Sequence, residues 1–128
     1  MIGRCKNCGR FAQLQTHHII HRSQAPALKK FKPNLFRICM DCHREIHGKN
    51  GRALDIKLKS KYLAIVTNLL KKEYYTEDEL KELLEISEND IRRLCKALKD
   101  IEGYIYRDEL IIALMGHKID LEIKIEEI

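Results

Sequence analysis

Acidic residues are scarce in the half of the chain that is richest in basic ones. Residues 1–61 hold 3 Asp+Glu against 14 Lys+Arg and residues 62–128 hold 16 against 10, so net charges of +11 and −6 sum to the overall +5. A stretch so poor in negative charge suits a polyanionic partner, because each phosphate it neutralises releases condensed counterions. No apolar run reaches the roughly 20 residues of a membrane span, and the N-terminus lacks a signal-peptide pattern, so an intracellular, cytoplasmic protein is expected. Nor is there a disulfide framework: of 5 cysteines, four stand in two Cys-x2-Cys pairs, which fits a reducing compartment. At 128 residues and 45% hydrophobic content, the chain has room for one ordinary domain or two small ones.

What is present is concentrated between Cys5 and His47. Cys5-Lys6-Asn7-Cys8 and Cys39-Met40-Asp41-Cys42 read as C-x2-C-x30-C-x2-C. Four thiolates complete a tetrahedral zinc site, and a closed site of that kind is structural rather than catalytic. His17, His18, His43, His47 and Asn34 are left over. A zinc knuckle commonly leads into a helix, where His43 and His47, four residues apart, share one face and can grip one ion. Cys42 and His43 are about 100 degrees apart around such a helix, so it can serve two sites at once. A third ligand from the His17-His18 pair would leave positions open for water and substrate, which is what distinguishes a catalytic metal site.

His17-His18-Ile19, Asn34-Leu35, Cys39-x2-Cys42-His43 and Ile46-His47, framed by the two cysteine pairs, resemble the HNH nucleases of the ββα-metal type, in the branch with a four-cysteine zinc. The resemblance covers about residues 1–50. It implies that His17, His43 and His47 hold a divalent cation and that His18 is the general base. Asn34 falls on the family's middle letter, either fixing the loop that carries the base or ligating the metal; since His43 and His47 are both kept, the positioning role is favoured. One departure concerns the loop after the histidine pair. Relatives carry a Pro-Arg-Ser-x-Gly-Gly-like sequence there, whereas this chain reads His21-Arg22-Ser23-Gln24-Ala25-Pro26-Ala27, keeping the Arg and Ser without the glycines. The loop must therefore turn differently.

The chemistry calls for these residue types. In-line hydrolysis of a phosphodiester needs a water made nucleophilic near neutral pH, and an imidazole with a pKa of about 6.5 is suited to take its proton. Negative charge then grows on the phosphate and the departing sugar oxygen, where a divalent cation stabilises it. Magnesium, manganese, nickel or zinc would each suit an imidazole-rich site. Arg22, Lys29, Lys30, Arg37 and Arg44 are the candidate contacts to DNA, expected to be double-stranded.

The fold class expected is α+β: a small zinc-stabilised HNH domain over residues 1–52, then a winged-helix-like domain of helices and a β-hairpin over 53–128. Short strands are expected around the knuckle, at Thr16 to His21 and at Leu35 to Ile38, with a helix from Met40 to His47 ended by Gly48. An apolar stripe of Leu58, Tyr62, Ile65, Val66, Leu69 and Leu70 predicts a helix over 54–72. Thr76 and Glu79 form a capping box, and Ser87 with Asp90 opens a further helix in which Cys95 is a core thiol. Gly103 to Tyr106 and Leu110 to Met115 read as a hairpin about Arg107-Asp108-Glu109, and alternation over Ile119 to Ile125 reads as a strand. Arg92, Arg93, Lys96 and Lys99 offer a second DNA-reading surface, while the acidic balance of that half and its amphipathic end favour an interaction module or homodimer. The leading function is a metal-dependent DNA endonuclease. The alternatives are a zinc-stabilised DNA-binding regulator without nuclease activity and a protein-interaction module with structural histidines. His21 and His117 are left outside the site.

Overall fold

The computed structural model describes residues 1–117. Strand β1 (Ile2–Arg4), β2 (Phe11–His18) and β3 (Leu35–Cys39) form an antiparallel sheet in the order β1-β2-β3. The β2–β3 register sets Leu14 opposite Cys39, Thr16 opposite Arg37 and His17 opposite Phe36. Helix α1 (Met40–Ile46) follows β3 without a linker, with Cys39 as its N-cap residue and His47 as its C-cap residue. The strand, strand, helix order expected around the metal motif is therefore present.

The segment joining β2 to β3 is part of the core and not a free loop. It contains two 3-10 turns, Pro26–Leu28 and Lys32–Asn34, each with proline in its first turn. Ile19, Leu28 and Phe31 within it are completely buried and Ile20 nearly so. Proline fixes φ near the value these turns need, which stiffens a segment that must hold its shape without glycine.

Helix α2 (Gly51–Leu69) begins one turn earlier than the apolar stripe suggests. Leu54, Leu58, Tyr62 and Val66 are its buried residues at intervals of four, a spacing that keeps them on one face. Tyr62 meets Phe31 edge-on, with ring centroids 6.4 Å apart, and its hydroxyl donates to the Leu114 carbonyl at 2.6 Å. Burial raises the Tyr62 phenol far above its ordinary value, so it stays a donor. One continuous apolar cluster runs from Cys5 to Met115 across both halves of the chain.

Helix α3 (Glu77–Leu84) opens with the full capping box of Thr76 and Glu79, and α4 (Glu88–Cys95) is capped by the Ser87 hydroxyl, which accepts from the Asp90 N–H at 3.1 Å. Cys95 is buried, and burial pushes its thiol up to about 11, as a core thiol requires.

Residues 107–114 correct the hairpin expected there: they form helix α5 (Arg107–Leu114). The isoleucines suggest a strand, but the residues that are buried are Leu110, Ala113 and Leu114, at helical intervals of three and four. Asp108 and Glu109 lie in the first turn, where the helix dipole favours negative charge. Arg107 donates through Nε to the Leu70 carbonyl at 2.5 Å and through Nη2 to the Thr67 carbonyl at 2.8 Å, closing the end of α2. The strands that do form in this half are two-residue pieces, β4 (Tyr74–Tyr75) and β5 (Ile105–Tyr106), paired antiparallel. Among the described residues, three helices are therefore present where helices were expected, and the hairpin about Arg107-Asp108-Glu109 is not. The alternation over Ile119 to Ile125 lies outside the described residues.

The α1–α2 junction is as tight as a backbone allows. A Cβ at Gly51 would fall 1.8 Å from the Ile46 carbonyl oxygen, so only glycine fits where α2 starts beneath the end of α1. Gly51→Ala is expected to force the two helices apart and cost about 3 kcal/mol, the upper end for overpacked sites. Denaturant unfolding measures this directly, and an unchanged midpoint and slope would show that the junction has slack.

Candidate metal centres

The register of β2 against β3 decides which side chains meet. Successive strand residues point to opposite faces, so Gln15 and His17 turn toward α1 while His18 turns away. On α1, His43 and His47 are one turn apart. The candidate ligand atoms of His17, His43 and His47 lie within 4.8 Å of one another, and an ion about 2.1 Å from each nitrogen would draw them somewhat closer.

His17 is 4% exposed and its Nε2 is buried with no hydrogen-bond partner. A buried nitrogen left in that state costs free energy unless something occupies its lone pair, so its environment fits a cation. Burial first, then the His43 and His21 rings, lowers the His17 pKa to about 4, and burial with help from His47 also lowers that of His43. Neutral imidazoles with free lone pairs are the form that binds a metal. His43 Nδ1 lies 2.6 Å from Gln15 Oε1, an acceptor, so Nδ1 carries the proton and the Nε2 lone pair stays free. This is the outer-shell support that ligating histidines usually have. Gln15 was not singled out from sequence; its position two residues before His17 on one strand face was the available signal.

The second cluster gathers Cys5, Cys8, Cys39 and Cys42, all as free thiols. Cys5 and Cys42 sulfurs are 3.7 Å apart and Cys8 and Cys39 sulfurs 3.9 Å apart. A tetrahedron with Zn–S bonds of about 2.3 Å has edges of about 3.8 Å, so the spacing suits zinc and is far too long for disulfides. Burial pushes the Cys5 thiol up, but the backbone N–H groups of Cys8, Cys39 and Asn7 outweigh it and hold it near 6. Cys42 goes the other way: burial raises it, Asn7 opposes, and the sulfurs of Cys39, Cys5 and Cys8 add to the rise. Protein groups thus favour the Cys5 thiolate and oppose that of Cys42, and a dication is what would let the two ionise together. Asn7, also not anticipated, donates its Nδ2 to Cys42 Sγ at 3.3 Å.

His18 stands apart from both clusters. Its Nε2 is 3.1 Å from the Lys29 carbonyl, which can only accept, so Nε2 holds the proton and Nδ1 is left as the basic nitrogen. Asn34 is completely buried and does not face the histidines. Its Oδ1 accepts from the Ile20 N–H at 2.7 Å, while Nδ2 donates to the carbonyls of Ile20 at 3.2 Å and Leu28 at 3.1 Å. It therefore ties the strand end after His18 to the turn before Lys29. From the far side, Gly116 closes on the same segment, with its carbonyl accepting from Gln24 Nε2 at 3.0 Å.

Residues 5–49 match the HNH endonuclease family model. The N-terminal part of the chain is an HNH domain with a four-cysteine cluster of the zinc-binding kind. No curated protein and no solved structure matches the chain. The matched stretch contains both clusters, His18 and Asn34. Of the basic residues expected to meet DNA, Arg22, Lys29 and Lys30 are exposed on the HNH loop and Arg44 is exposed on α1, 3.9 Å from Asp41. Arg37 is exposed on β3 with its Nη1 against Met1 Sδ at 2.6 Å, outside the histidine cluster. His21, left out of the site, has its ring centroid 6.4 Å from that of His17. Among the described residues, no helix is long and apolar enough to cross a membrane.

Two outcomes follow for the HNH domain. Chelation of zinc, or Cys42→Ser, is expected to cost several kcal/mol, because metal binding in a site this small is folding free energy. Thermal melts with and without chelator report it, and coincident curves would mean the thiols are ordinary core residues. Without added divalent ion, His17 should titrate near pH 4. Its folded pKa lies below the ordinary 6.5, so between pH 6.5 and 4 the unfolded chain binds the proton the fold excludes, and stability falls as pH falls. NMR titration of the ring settles this, and an ordinary pKa would show that His17 is open to water.

Proposed function

We propose that the chain is a metal-dependent endonuclease that hydrolyses DNA phosphodiester bonds, with its first fifty or so residues as the nuclease unit and the described helices from α2 onward bracing it. The carrying observation is the convergence of three imidazoles, one with an orphaned buried nitrogen, one residue away from a fourth imidazole whose tautomer leaves Nδ1 basic. His17, His43 and His47 would hold a divalent cation. That ion supplies positive charge to the phosphate and to the departing sugar oxygen.

The remaining steps belong to the chain. His18 Nδ1 takes a proton from the attacking water as the new P–O bond forms and the bond to the sugar oxygen breaks. The Lys29 carbonyl holds the ring by its Nε2 proton and stabilises the imidazolium that results. Asn34 acts as a positioning residue, since its three hydrogen bonds fix the segment between Ile20 and Leu28 on which that carbonyl depends. Arg22, Lys29, Lys30 and Arg44 hold the backbone of a duplex. The 3.9 Å pair of Arg44 with Asp41 is exposed and worth little, so it yields readily to a phosphate. The described residues of one chain carry one such site, so it nicks; a homodimer would be required to cut both strands together.

His18→Ala is expected to reduce metal-dependent nicking of supercoiled plasmid by about 10²- to 10⁴-fold, the usual worth of a general base. DNA affinity should be retained. If the variant cuts as well as wild type, His18 is not the base; if wild type binds DNA but leaves it intact with magnesium, manganese, nickel and zinc alike, the zinc-stabilised DNA-binding regulator takes its place.

A further inference from the structure

Helix α4 packs against the Pro26–Leu28 turn of the HNH loop. That contact brings a basic helix face beside the loop carrying Arg22, Lys29 and Lys30. Its cations are not equivalent. Arg92 has Glu88 beside it at 3.3 Å in an exposed pair. Arg93 and Lys96, three residues apart and therefore on one face, are both exposed, and among the described residues neither has an ion pair or a side-chain hydrogen bond. Arg93 sits on a ridge between two depressions. One, of about 470 Å³, is shared with Gln24, Ala25, Pro26 and Ala27 of the loop; the other, of about 300 Å³, is shared with Lys96 and holds Glu77 as its one acidic group.

These are two unpaired cations in a half whose net charge is −6, placed where that half adjoins the most basic loop of the other. We propose that Arg93 and Lys96 form a second phosphate-contacting surface, continuous with the HNH loop, which takes the DNA backbone on one flank of the scissile phosphate. The inference rests on the nuclease reading above and extends it. Ala25 and Pro26 give the depression an apolar floor against which sugar rings can lie, while Arg93 meets the phosphates. Contacts of this kind set register and affinity without reading bases. The second half thus contributes length to the footprint, and the expected wing is not needed for it.

The test is binding of full-length, zinc-loaded protein in a His18→Ala background, so that substrate survives, to duplexes of roughly half a helical turn and roughly two turns. Arg93→Ala/Lys96→Ala should weaken binding to the long duplex by about 10-fold and flatten the slope of log affinity against log salt by about 2, as two lost phosphate contacts require. Binding to the short duplex should not change, and neither should the melting temperature. Arg93→Lys/Lys96→Arg should restore affinity and slope, which a structural defect would not allow. If wild type cuts plasmid while the alanine variant matches the parent on both duplexes, the flanking surface is overturned and the nuclease reading stands. If the short duplex is weakened as much as the long one, the two residues act on the cleft and the flank is overturned. If wild type binds neither duplex, both readings fail.

Discussion

The pairing of β2 with β3 is the constraint on which the rest depends. With Leu14 opposite Cys39 and His17 opposite Phe36, the strand end that carries the histidines lies beneath the helix that starts at Met40. A slip of one residue would turn Gln15 and His17 to the opposite face and leave His43 and His47 without their third partner. The same register seats Cys39, whose N–H donates to Cys5 Sγ at 3.3 Å, so the thiol cluster and the strand pairing reinforce each other. The zinc-type cluster thus stabilises a register, and the register assembles the histidines. Two clusters of candidate metal ligands with different chemistry can share seven residues of helix because Cys42 and His43 point to different sides of it.

An HNH unit of some fifty residues buries little apolar surface of its own. The described structure offsets this by sharing one core with the helices that follow. Tyr62 bridges Phe31 of the HNH segment and the Leu114 carbonyl of α5. Gly116, at φ +75, comes so close to the HNH loop that a Cβ there would lie 2.7 Å from Gln24 Nε2 and 2.8 Å from Ile20 Cγ2. Ile20 is also the residue whose N–H and carbonyl Asn34 holds. The segment next to the proposed base is therefore clamped between a buried asparagine and the end of the last described helix, which supplies by packing the shape that glycines would otherwise provide.

What the sequence disclosed follows from how local each signal is. Cysteine spacing, the four-residue interval of His43 and His47, and the Thr76 capping box depend on chemistry within a few residues, and each appears in the fold where it was expected. The residues from 107 to 114 misled because Ile111 and Ile112 favour strands by intrinsic preference, while the face that must be buried is set by α2, which lies some forty residues away in sequence. Arg107 shows the same thing: in sequence it is a turn residue, and in the fold it closes the end of α2. Gln15 and Asn7 were missed because an amide beside a metal ligand looks like any exposed amide until the third dimension is known.

On this reading α1 carries a closed site on one side and an open site on the other. Cobalt(II) titration of the metal-free chain, in wild type and in His43→Ala/His47→Ala, separates the two sites. Wild type should take two equivalents, one with thiolate-to-cobalt absorption and one without, and the double variant should keep the thiolate site and its fold while losing the second equivalent and all cleavage. A single equivalent in both proteins, or a second equivalent that survives the loss of both histidines, would contradict the account.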